Sequence, residues 1–431
     1  MNRLRAILVL AAPTALGSIL QAGAQLVEMW LAARQGTPAL AGWAVVLPFA
    51  LLMQMMSGGA MGGGVVSAIA RSLGSGRPDQ AAGLVLHAGL IAVLAGLAFA
   101  IPLAVFPREV LGLVGGPAAA EAAAAYSMWL FGLGAVPSWM ANTLASVLRG
   151  GGRHALAARV LVIAWAAYPP IGWLLAEPFG MGLAGLGAAF GGVFLVASLA
   201  MMVVVWRGGA GFRPTLRVRP SGAMFWRILS VGLVACVIAA IANMTTIMVT
   251  AQLAPLGPAV VAGYGISARL EFVMIPLVFA VGSALTALVG RAVGAGDWAE
   301  ARRIAWTGGA LAFGVAFSIG VVVAIFPAFF ARLFSGDPAV VAVATQALGI
   351  IGPAYGGFGL GMALYFASQG AGRMRWPLAA AASRFAFAVG GGFVLAQWLD
   401  MGLAGHFIGV ALGITAYGAV IAASIRPSLW R

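Results

Sequence analysis

The chain has 431 residues, of which 62% are hydrophobic and 8% are charged, and its mean hydropathy is +1.04. A soluble protein of this length cannot be so apolar, because too few polar residues would remain to cover its surface. The apolar runs are about twenty to thirty residues long and do not alternate with polar residues, which excludes membrane β-strands and predicts an all-α membrane protein.

The positive charge is carried by arginine alone. The chain has 24 basic residues, none of them lysine, and a net charge of +14. Most arginines lie in short segments between apolar runs, so no continuous basic face could follow a phosphate backbone, and we expect no nucleic-acid partner. The single cysteine, Cys236, excludes an intramolecular disulfide.

The hydropathy pattern predicts twelve transmembrane helices in two sets of six. The predicted spans are 6–33, 39–70, 82–106, 118–148, 155–176, 182–206, 224–252, 259–290, 299–326, 338–369, 376–399 and 402–425. A polar break rich in glycine, proline and arginine separates the two sets. We therefore predict an N-terminal six-helix lobe (1–206), a cytoplasmic linker (207–223) and a C-terminal six-helix lobe (224–431).

Arginine is distributed unequally between the two sides of the membrane. Nineteen arginines fall in segments on the side of the N-terminus, and three, Arg34, Arg108 and Arg332, fall on the other side. Because positive charge accumulates in cytoplasmic loops, this bias predicts that both termini are cytoplasmic.

The two halves of the sequence contain matching residues. Each matching pair is separated by the same number of residues, which is the separation between Arg71 and Arg291. The recurring groups are Arg71, Gly74 and Gly76 with Arg291, Gly294 and Gly296; Phe106-Pro107 with Phe326-Pro327; Gly150, Gly152 and Arg153 with Gly370, Gly372 and Arg373; and Met-Gly-Leu-Ala-Gly at 181–185 and 401–405. A shared offset indicates duplication. Each half has six spans, so the lobes enter the membrane in parallel and are related by a pseudo-two-fold axis along its normal. Such lobes predict alternating access around a mid-membrane site; a duplicated scaffold or channel is the alternative.

The first span carries a polar stripe. Gln21, Gln25 and Glu28 lie at helical spacing and share one face of an otherwise apolar helix. A carboxylate within a span is costly and usually faces a bundle interior or a water-filled cavity. We therefore expect Glu28 to face a cavity. The alternative is that it lies near the outer end of the helix and reaches the headgroups.

The second half lacks the equivalent acid, because Met248 stands at the position that the repeat offset assigns to Glu28. Its first span instead offers Asn243, Thr246 and Thr250 on one helical face, which we assign to the substrate cavity. Hydrogen bonds that pack the helices are the alternative role for these three residues.

Three charges fall within the spans of the second half: Arg269, Glu271 and Arg384. Arg269 and Glu271 are two positions apart and face different sides of a helix, so they do not pair locally. Arg384 is the expected partner of Glu271. A buried structural ion pair and a role in coupling both remain open.

The second span places Gln54 among several methionines, including Met53. Methionine adapts to many ligand shapes, so both residues are candidates for the cavity, and core packing is the alternative. The glycine-rich segment 58–64 lacks the lysine of a phosphate loop and indicates a flexible or closely packed helix segment. The three histidines are scattered without acids at ligand spacing, so we expect no metal site.

Several motifs together resemble a known family. They are Gln25-Leu26-Val27-Glu28 continuing to Leu40-Ala41-Gly42, the repeated Arg-x-x-Gly-x-Gly loops, Leu148-Arg149-Gly150-Gly151-Gly152-Arg153, and the repeated Met-Gly-Leu-Ala-Gly. In this order and spacing they resemble the multidrug and toxic compound extrusion (MATE) transporters, and among these the DinF-type bacterial branch.

The resemblance implies a secondary antiporter that exports lipophilic, often cationic compounds in exchange for H⁺ or Na⁺. It implies that Glu28 is the ion-coupling acid, that Pro13 is a hinge in the first helix, and that Gln21 matches a polar position of the branch. We expect a monomer in the lipid bilayer of a bacterial inner membrane, with no cofactor beyond the coupling ion and no enzymatic activity.

The chain also departs from the family pattern. The usual aspartate is a glutamate, and the polar positions of the fifth helix fall at Trp165 and Pro169. The carboxylate of the NorM-type tenth helix falls near Phe358. A lone carboxylate suffices for a proton, whereas Na⁺ needs several oxygen ligands, so H⁺ is the expected ion. A lipid-linked precursor flippase and an integral-membrane enzyme are the rival functions.

Overall fold

The computed structural model describes residues 2–215 and 217–430, apart from the side chains of Phe272 and Val273. Leu216, within the predicted linker, lies outside the described residues. The described chain is helical, and no strand occurs in it. The predicted all-α fold is thereby confirmed.

In the part of the chain that the structure describes, twelve helices are long and apolar enough to cross a membrane, as predicted. They are α1 (Arg3–Arg34), α2 (Thr37–Gly74), α3 (Pro78–Val105), α4 (Pro107–Gly150), α5 (His154–Ala176), α6 (Gly182–Trp206), α7 (Gly222–Leu256), α8 (Pro258–Gly294), α9 (Trp298–Ile325), α10 (Pro338–Ala371), α11 (Arg375–Gln397) and α12 (Gly402–Ser424). A short helix, Pro327–Arg332, precedes α10.

The largest difference from the predicted spans is at the start of α4. Helical structure begins at Pro107, but Gly116 has a φ of +77° and interrupts the helix just before Pro117. Glycine adopts this left-handed conformation without a steric penalty, and proline favours the first turn of a new helix. The segment after the interruption corresponds to the predicted span.

Some helices contain π-helical segments, including Met55–Ala60 in α2 and Ala386–Gly391 in α11. A wider turn displaces backbone carbonyls from the regular hydrogen-bond pattern, and such turns often occur at functional sites. In α11 the carbonyl of Val389 accepts a hydrogen bond from Nε2 of Gln252 (3.1 Å). A polar side chain from a neighbouring helix thus satisfies this carbonyl.

The chain packs as two compact units. The first unit is Val9–Gly232, and the second is Met1–Leu8 together with Leu233–Arg431. These boundaries differ from the predicted lobes, which end at 206 and begin at 224. The predicted boundary follows the polar linker between two apolar runs. The boundary between the packed units lies within α7, after Gly232.

Glycine explains why the start of α7 belongs to the first unit. A Cβ on Gly64 would lie 2.6 Å from the carbonyl oxygen of Ile228 and 2.9 Å from the nitrogen of Gly232. Helix α2 and the start of α7 therefore touch backbone to backbone, as small residues permit in membrane proteins. Nη1 of Arg227 also donates to Oε1 of Gln80 in α3 (2.6 Å). The glycine-rich segment 58–64 belongs to this close packing, which is one of the two alternatives that the sequence left open.

An equivalent contact occurs in the second unit. Nε and Nη2 of Arg3 donate to the two carboxylate oxygens of Glu300 in α9, at 2.8 and 2.9 Å. Glu300 is the counterpart of Gln80 at the repeat offset, so the duplicated helices use the same position in both contacts.

Candidate functional site

Glu28 lies on the buried face of α1. Its side chain is 7% exposed, and Ala24 and Leu31 on the same face are buried as well. Leu26 and Trp30, on the opposite face, are exposed and carry the apolar surface of the helix. This burial favours the prediction that Glu28 faces the interior over the alternative in which it reaches the headgroups.

Three aromatic side chains from three other helices surround the Glu28 carboxylate. The hydroxyl of Tyr126 in α4 donates a hydrogen bond to Oε1 of Glu28. Trp43 in α2 and Tyr168 in α5 also interact with this carboxylate. Nε1 of Trp43 and the hydroxyl of Tyr168 are buried, and neither completes a hydrogen bond with a described residue. One acid thus faces three donors and bonds to one of them.

An aromatic cluster lies behind Tyr168. The ring of Trp165 contacts Tyr168 with centroids 6.2 Å apart and Phe194 at 5.2 Å, and Phe190 contacts Phe194 at 4.5 Å. Trp165 is one of the positions at which the family resemblance implies a polar partner. The cluster gives one wall of the Glu28 environment an apolar lining.

A second polar group in the first unit centres on Gln54. Nδ2 of Asn142 donates to Oε1 of Gln54 (3.1 Å) and to Oγ of Ser57 (2.9 Å). Nε2 of Gln54 donates to Oγ of Ser138 (3.0 Å). Gln54 lies further along α2 than Trp43, by about 16 Å at the usual rise of a helix.

The sequence predicts Gln54 as a residue of the substrate cavity and does not single out its three partners. Ser57 lies three residues after Gln54, and Ser138 and Asn142 lie four apart in α4. Polar residues at such spacings share a helix face, so the sequence indicates a polar face on each of the two helices. Nothing in the sequence showed that the two faces meet.

The other predicted residues of the first unit have different environments. Gln21 and Gln25 are half-buried on α1 and make no side-chain hydrogen bond with described residues. Pro13 lies inside the continuous helix α1. Met53 is fully buried and belongs to the core, which is the packing alternative raised for it.

Asn243, Thr246 and Thr250 are half-buried in α7 and bond to their own helix. The acceptors are the backbone oxygens of the residue four positions earlier: Ala239 (2.9 Å), Ala242 (3.5 Å) and Thr246 (2.8 Å). These bonds leave one face of α7 polar and do not connect it to a neighbouring helix.

The second unit contains the expected pair of charges. Nη2 of Arg384 in α11 donates to Oε1 of Glu271 in α8. Arg384 also lies over the ring of Phe358, with Cζ 5.5 Å from the ring centroid. Arg269 is exposed. The predicted partner of Glu271 is confirmed as a contact.

The other acids of the first unit lie near helix ends. Glu177, just after α5, accepts hydrogen bonds from Nε of Arg34 (2.6 Å) and Nε1 of Trp173 (3.0 Å). The Arg34 guanidinium holds the pKa of Glu177 below its usual value. Arg108 and Glu121 form a second exposed ion pair (2.5 Å). Among the described residues, no three His, Cys, Asp or Glu side chains cluster as metal ligands.

Comparison with known proteins identifies the family. The MatE family matches residues 13–174 and again 233–394, two segments separated by the same offset as the internal repeat. The chain belongs to the MatE family. Members of this family are transporters, so the chain is a multi-pass membrane transporter and not an enzyme. No curated protein matches the chain in sequence.

Solved structures of MATE transporters share this fold over the whole chain. One is the outward-facing conformation of a multidrug resistance MATE family transporter of the MOP superfamily, with a TM-score of 0.91, 21% identity and coverage of 100% of this chain and 96% of the other. A Vibrio cholerae MATE transporter gives a TM-score of 0.89, 20% identity, and coverage of 99% and 97%.

A third similar structure is a MOP superfamily transporter from Pyrococcus furiosus, with a TM-score of 0.90, 20% identity, and coverage of 100% and 96%. Its description reports a binding pocket of reversed polarity and suggests a different function for that protein. Proteins of this fold therefore differ in the charge of their pockets, and at these identities the likeness establishes the MATE fold alone.

Proposed function

We propose that this MATE protein is a proton-coupled antiporter that exports lipophilic cations, with Glu28 as the coupling residue. The observation that supports it is the Glu28 carboxyl, buried within the first unit and bonded to the Tyr126 hydroxyl. A lone acid in an apolar surrounding is able to exchange a proton, because burial disfavours its charged form while a hydrogen bond stabilises it.

The groups around Glu28 favour H⁺ over Na⁺. Hard cations such as Na⁺ require several oxygen ligands. Here the nearest groups from other helices are two phenols and the Nε1–H of Trp43. An indole N–H can donate a hydrogen bond but has no lone pair with which to bind a cation. Trp165 supplies an indole where a polar ligand is expected from the family pattern. A single proton on Glu28 needs none of these ligands.

The cycle follows from the charge of Glu28. When Glu28 is deprotonated, its carboxylate attracts a cationic substrate. The half-buried amides of Gln21 and Gln25 lie on the same helix as Glu28. Protonation from outside removes the charge and releases the substrate. Pro13 supplies the hinge because it lacks the N–H that would bond within α1, so the helix bends there at a lower cost. Deprotonation toward the cytoplasm resets the site.

The free energy released by the entry of one proton limits the concentration gradient of substrate that export can build. Moving one charge through the membrane potential contributes about 2.3 kcal/mol per 100 mV, and a pH gradient adds to this amount. We expect a bacterial inner-membrane location with both termini in the cytoplasm, which follows from the arginine distribution. A lipid-linked precursor flippase would require a strongly cationic interior, and the only mid-span arginines in the sequence are Arg269 and Arg384.

Transport in proteoliposomes tests the proposal. A fluorescent cation is followed while a pH gradient and a Na⁺ gradient are imposed separately. The wild-type protein should respond to the pH gradient, and Glu28→Gln should abolish that response. Glu121→Gln is the matched control, because Glu121 is an exposed acid of the same unit, paired with Arg108. Unchanged pH-driven transport by Glu28→Gln, or transport driven by Na⁺ alone, would overturn the proposal.

A further inference from the structure

We propose that the Glu271–Arg384 pair in the second unit is a binding site for zwitterionic aromatic compounds. The cationic group of the ligand pairs with Glu271, and its anionic group pairs with Arg384. The site rests on the proposed export function and adds a substrate class to it, distinct from the cations that the lone Glu28 would attract.

The pair lies within the helix bundle of the second unit. Glu271 and Tyr264 belong to α8, and Arg384 belongs to α11. Tyr355 and Tyr264 interact electrostatically with Glu271, and Tyr417, from α12, interacts with Arg384. These tyrosines are buried, and groups from four helices thus surround the pair.

The two charges keep unused hydrogen-bonding capacity. Arg384 has five N–H donors and Glu271 has several lone pairs, yet one hydrogen bond joins them and neither makes another to a described residue. Their side chains are 12% and 17% exposed, so part of each charged side chain remains accessible. Donors and acceptors therefore remain available side by side.

The surrounding rings supply flat apolar walls. Phe358 lies beneath the Arg384 guanidinium, and Tyr264 stacks on Phe407 with an interplanar angle of 12°. Within the described part of the chain, the hydroxyls of Tyr355 and Tyr417 make only long contacts, to the Ser267 oxygen (3.4 Å) and to a methionine sulfur (3.6 Å). Rings and weakly engaged hydroxyls together suit a planar ligand with polar substituents.

The fold itself does not require these charges. The equivalent positions of the first repeat are Leu51 for Glu271 and Ala164 for Arg384. The positions equivalent to the three tyrosines are all alanine: Ala44, Ala135 and Ala197. The first repeat thus builds the same helices with apolar residues. Buried ion pairs often stabilise a protein no better than apolar residues of similar volume, and charges within a membrane bundle mark functional sites.

The pairing of opposite charges selects the ligand class. A simple cation would be attracted by Glu271 and repelled by the adjacent Arg384. A simple anion would be attracted by Arg384 and repelled by Glu271. A zwitterion compensates both charges at once, so that no buried charge is left without a partner.

A series of xanthene dyes tests the site by fluorescence anisotropy with purified full-length protein in nanodiscs. An unesterified rhodamine is the zwitterion, its methyl ester is the cation, and fluorescein is the anion. The wild-type protein should bind the zwitterion more tightly than either of the others. The double variant Glu271→Gln/Arg384→Gln should weaken zwitterion binding at least about tenfold and change binding of the ester less than about threefold.

A second double variant, Glu271→Leu/Arg384→Met, keeps the volume with apolar residues and should show the same loss; gel filtration and melting curves verify folding. Unchanged zwitterion binding in a folded double variant would overturn the inference, as would an equal loss for both rhodamines. Glu121→Gln, which changes an exposed acid outside both sites, should retain zwitterion binding. If Glu28→Gln retains proton-driven export while the double variants lose zwitterion binding, the proposed coupling fails and the binding site stands.

Discussion

The hydroxyl of Tyr126 donates a hydrogen bond to the carboxylate of Glu28, and it joins α4 to α1 in the interior of the first unit. A hydrogen bond to a charged acceptor stabilises the charged form. In the proposed cycle, Tyr126 therefore affects the pH range in which Glu28 releases its proton, although Tyr126 does not itself bind the exported compound.

Tyr126→Phe removes this donor and keeps the ring. The ionised carboxylate then loses a charge-assisted bond, so release of the proton requires a higher pH. We expect the pH at half-maximal export to rise by about one unit, from a bond worth about 1.5 kcal/mol. Tyr365→Phe is the control, because Tyr365 lies in the second unit and its hydroxyl accepts a hydrogen bond from Nε2 of Gln369 (2.7 Å). A rise as large in Tyr365→Phe as in Tyr126→Phe would contradict the assignment.

Pro13→Ala should slow export while leaving substrate binding unchanged. Alanine restores the missing backbone hydrogen bond in α1 and stiffens the helix that carries Glu28. The melting temperature should rise or stay the same, since proline is the least favourable residue in a helix interior. Pro48→Ala is the matched control, because Pro48 lies inside α2. The hinge assignment fails if both variants export alike.

Asn142→Leu should destabilise the first unit. It removes two hydrogen bonds and leaves the Gln54 carbonyl oxygen and the Ser57 hydroxyl without their donor. An unsatisfied buried polar group costs about 1–3 kcal/mol, and thermal unfolding in detergent would measure the loss. Asn243→Leu should cost less, because Asn243 bonds only to its own helix. The reverse order of stabilities would show that the Gln54 network does not support the fold.

Gly64→Ala tests the close contact between α2 and the start of α7. The new Cβ would lie 2.6 Å from the Ile228 oxygen, so one of the two helices must move. We expect a lower melting temperature than for Gly23→Ala, where nothing lies within 4 Å of the added Cβ. Overpacking of this kind typically costs about 1–3 kcal/mol. Equal melting temperatures would mean that the contact is loose.

The helices and the duplication were predictable because their signals are local. A run of apolar residues fixes a membrane helix, and a constant offset fixes the repeat. The Glu271–Arg384 contact was also predictable, because few mid-span charges exist and a buried charge requires a partner. Even the interruption near Gly116 and Pro117 coincides with the predicted start of the fourth span.

The partners of Glu28 were not predictable in the same way. Trp43, Tyr126 and Tyr168 come from three different helices, and two of them are far from Glu28 along the chain. Aromatic residues in membrane helices usually serve packing, so nothing in the local sequence marked these three as neighbours of an acid. The boundary between the two units within α7 was not predictable for a related reason, because it depends on backbone contact at Gly64 and not on polarity.

Proton release on substrate binding is the most direct test of the role assigned to Glu28. Purified protein in a weakly buffered solution receives a saturating dose of a lipophilic cation while a pH indicator dye records the protons released. Near the pH of half-maximal export, the wild-type protein should release up to one proton per molecule, and Glu28→Gln should release none. Equal release by the two proteins would contradict the proposed coupling.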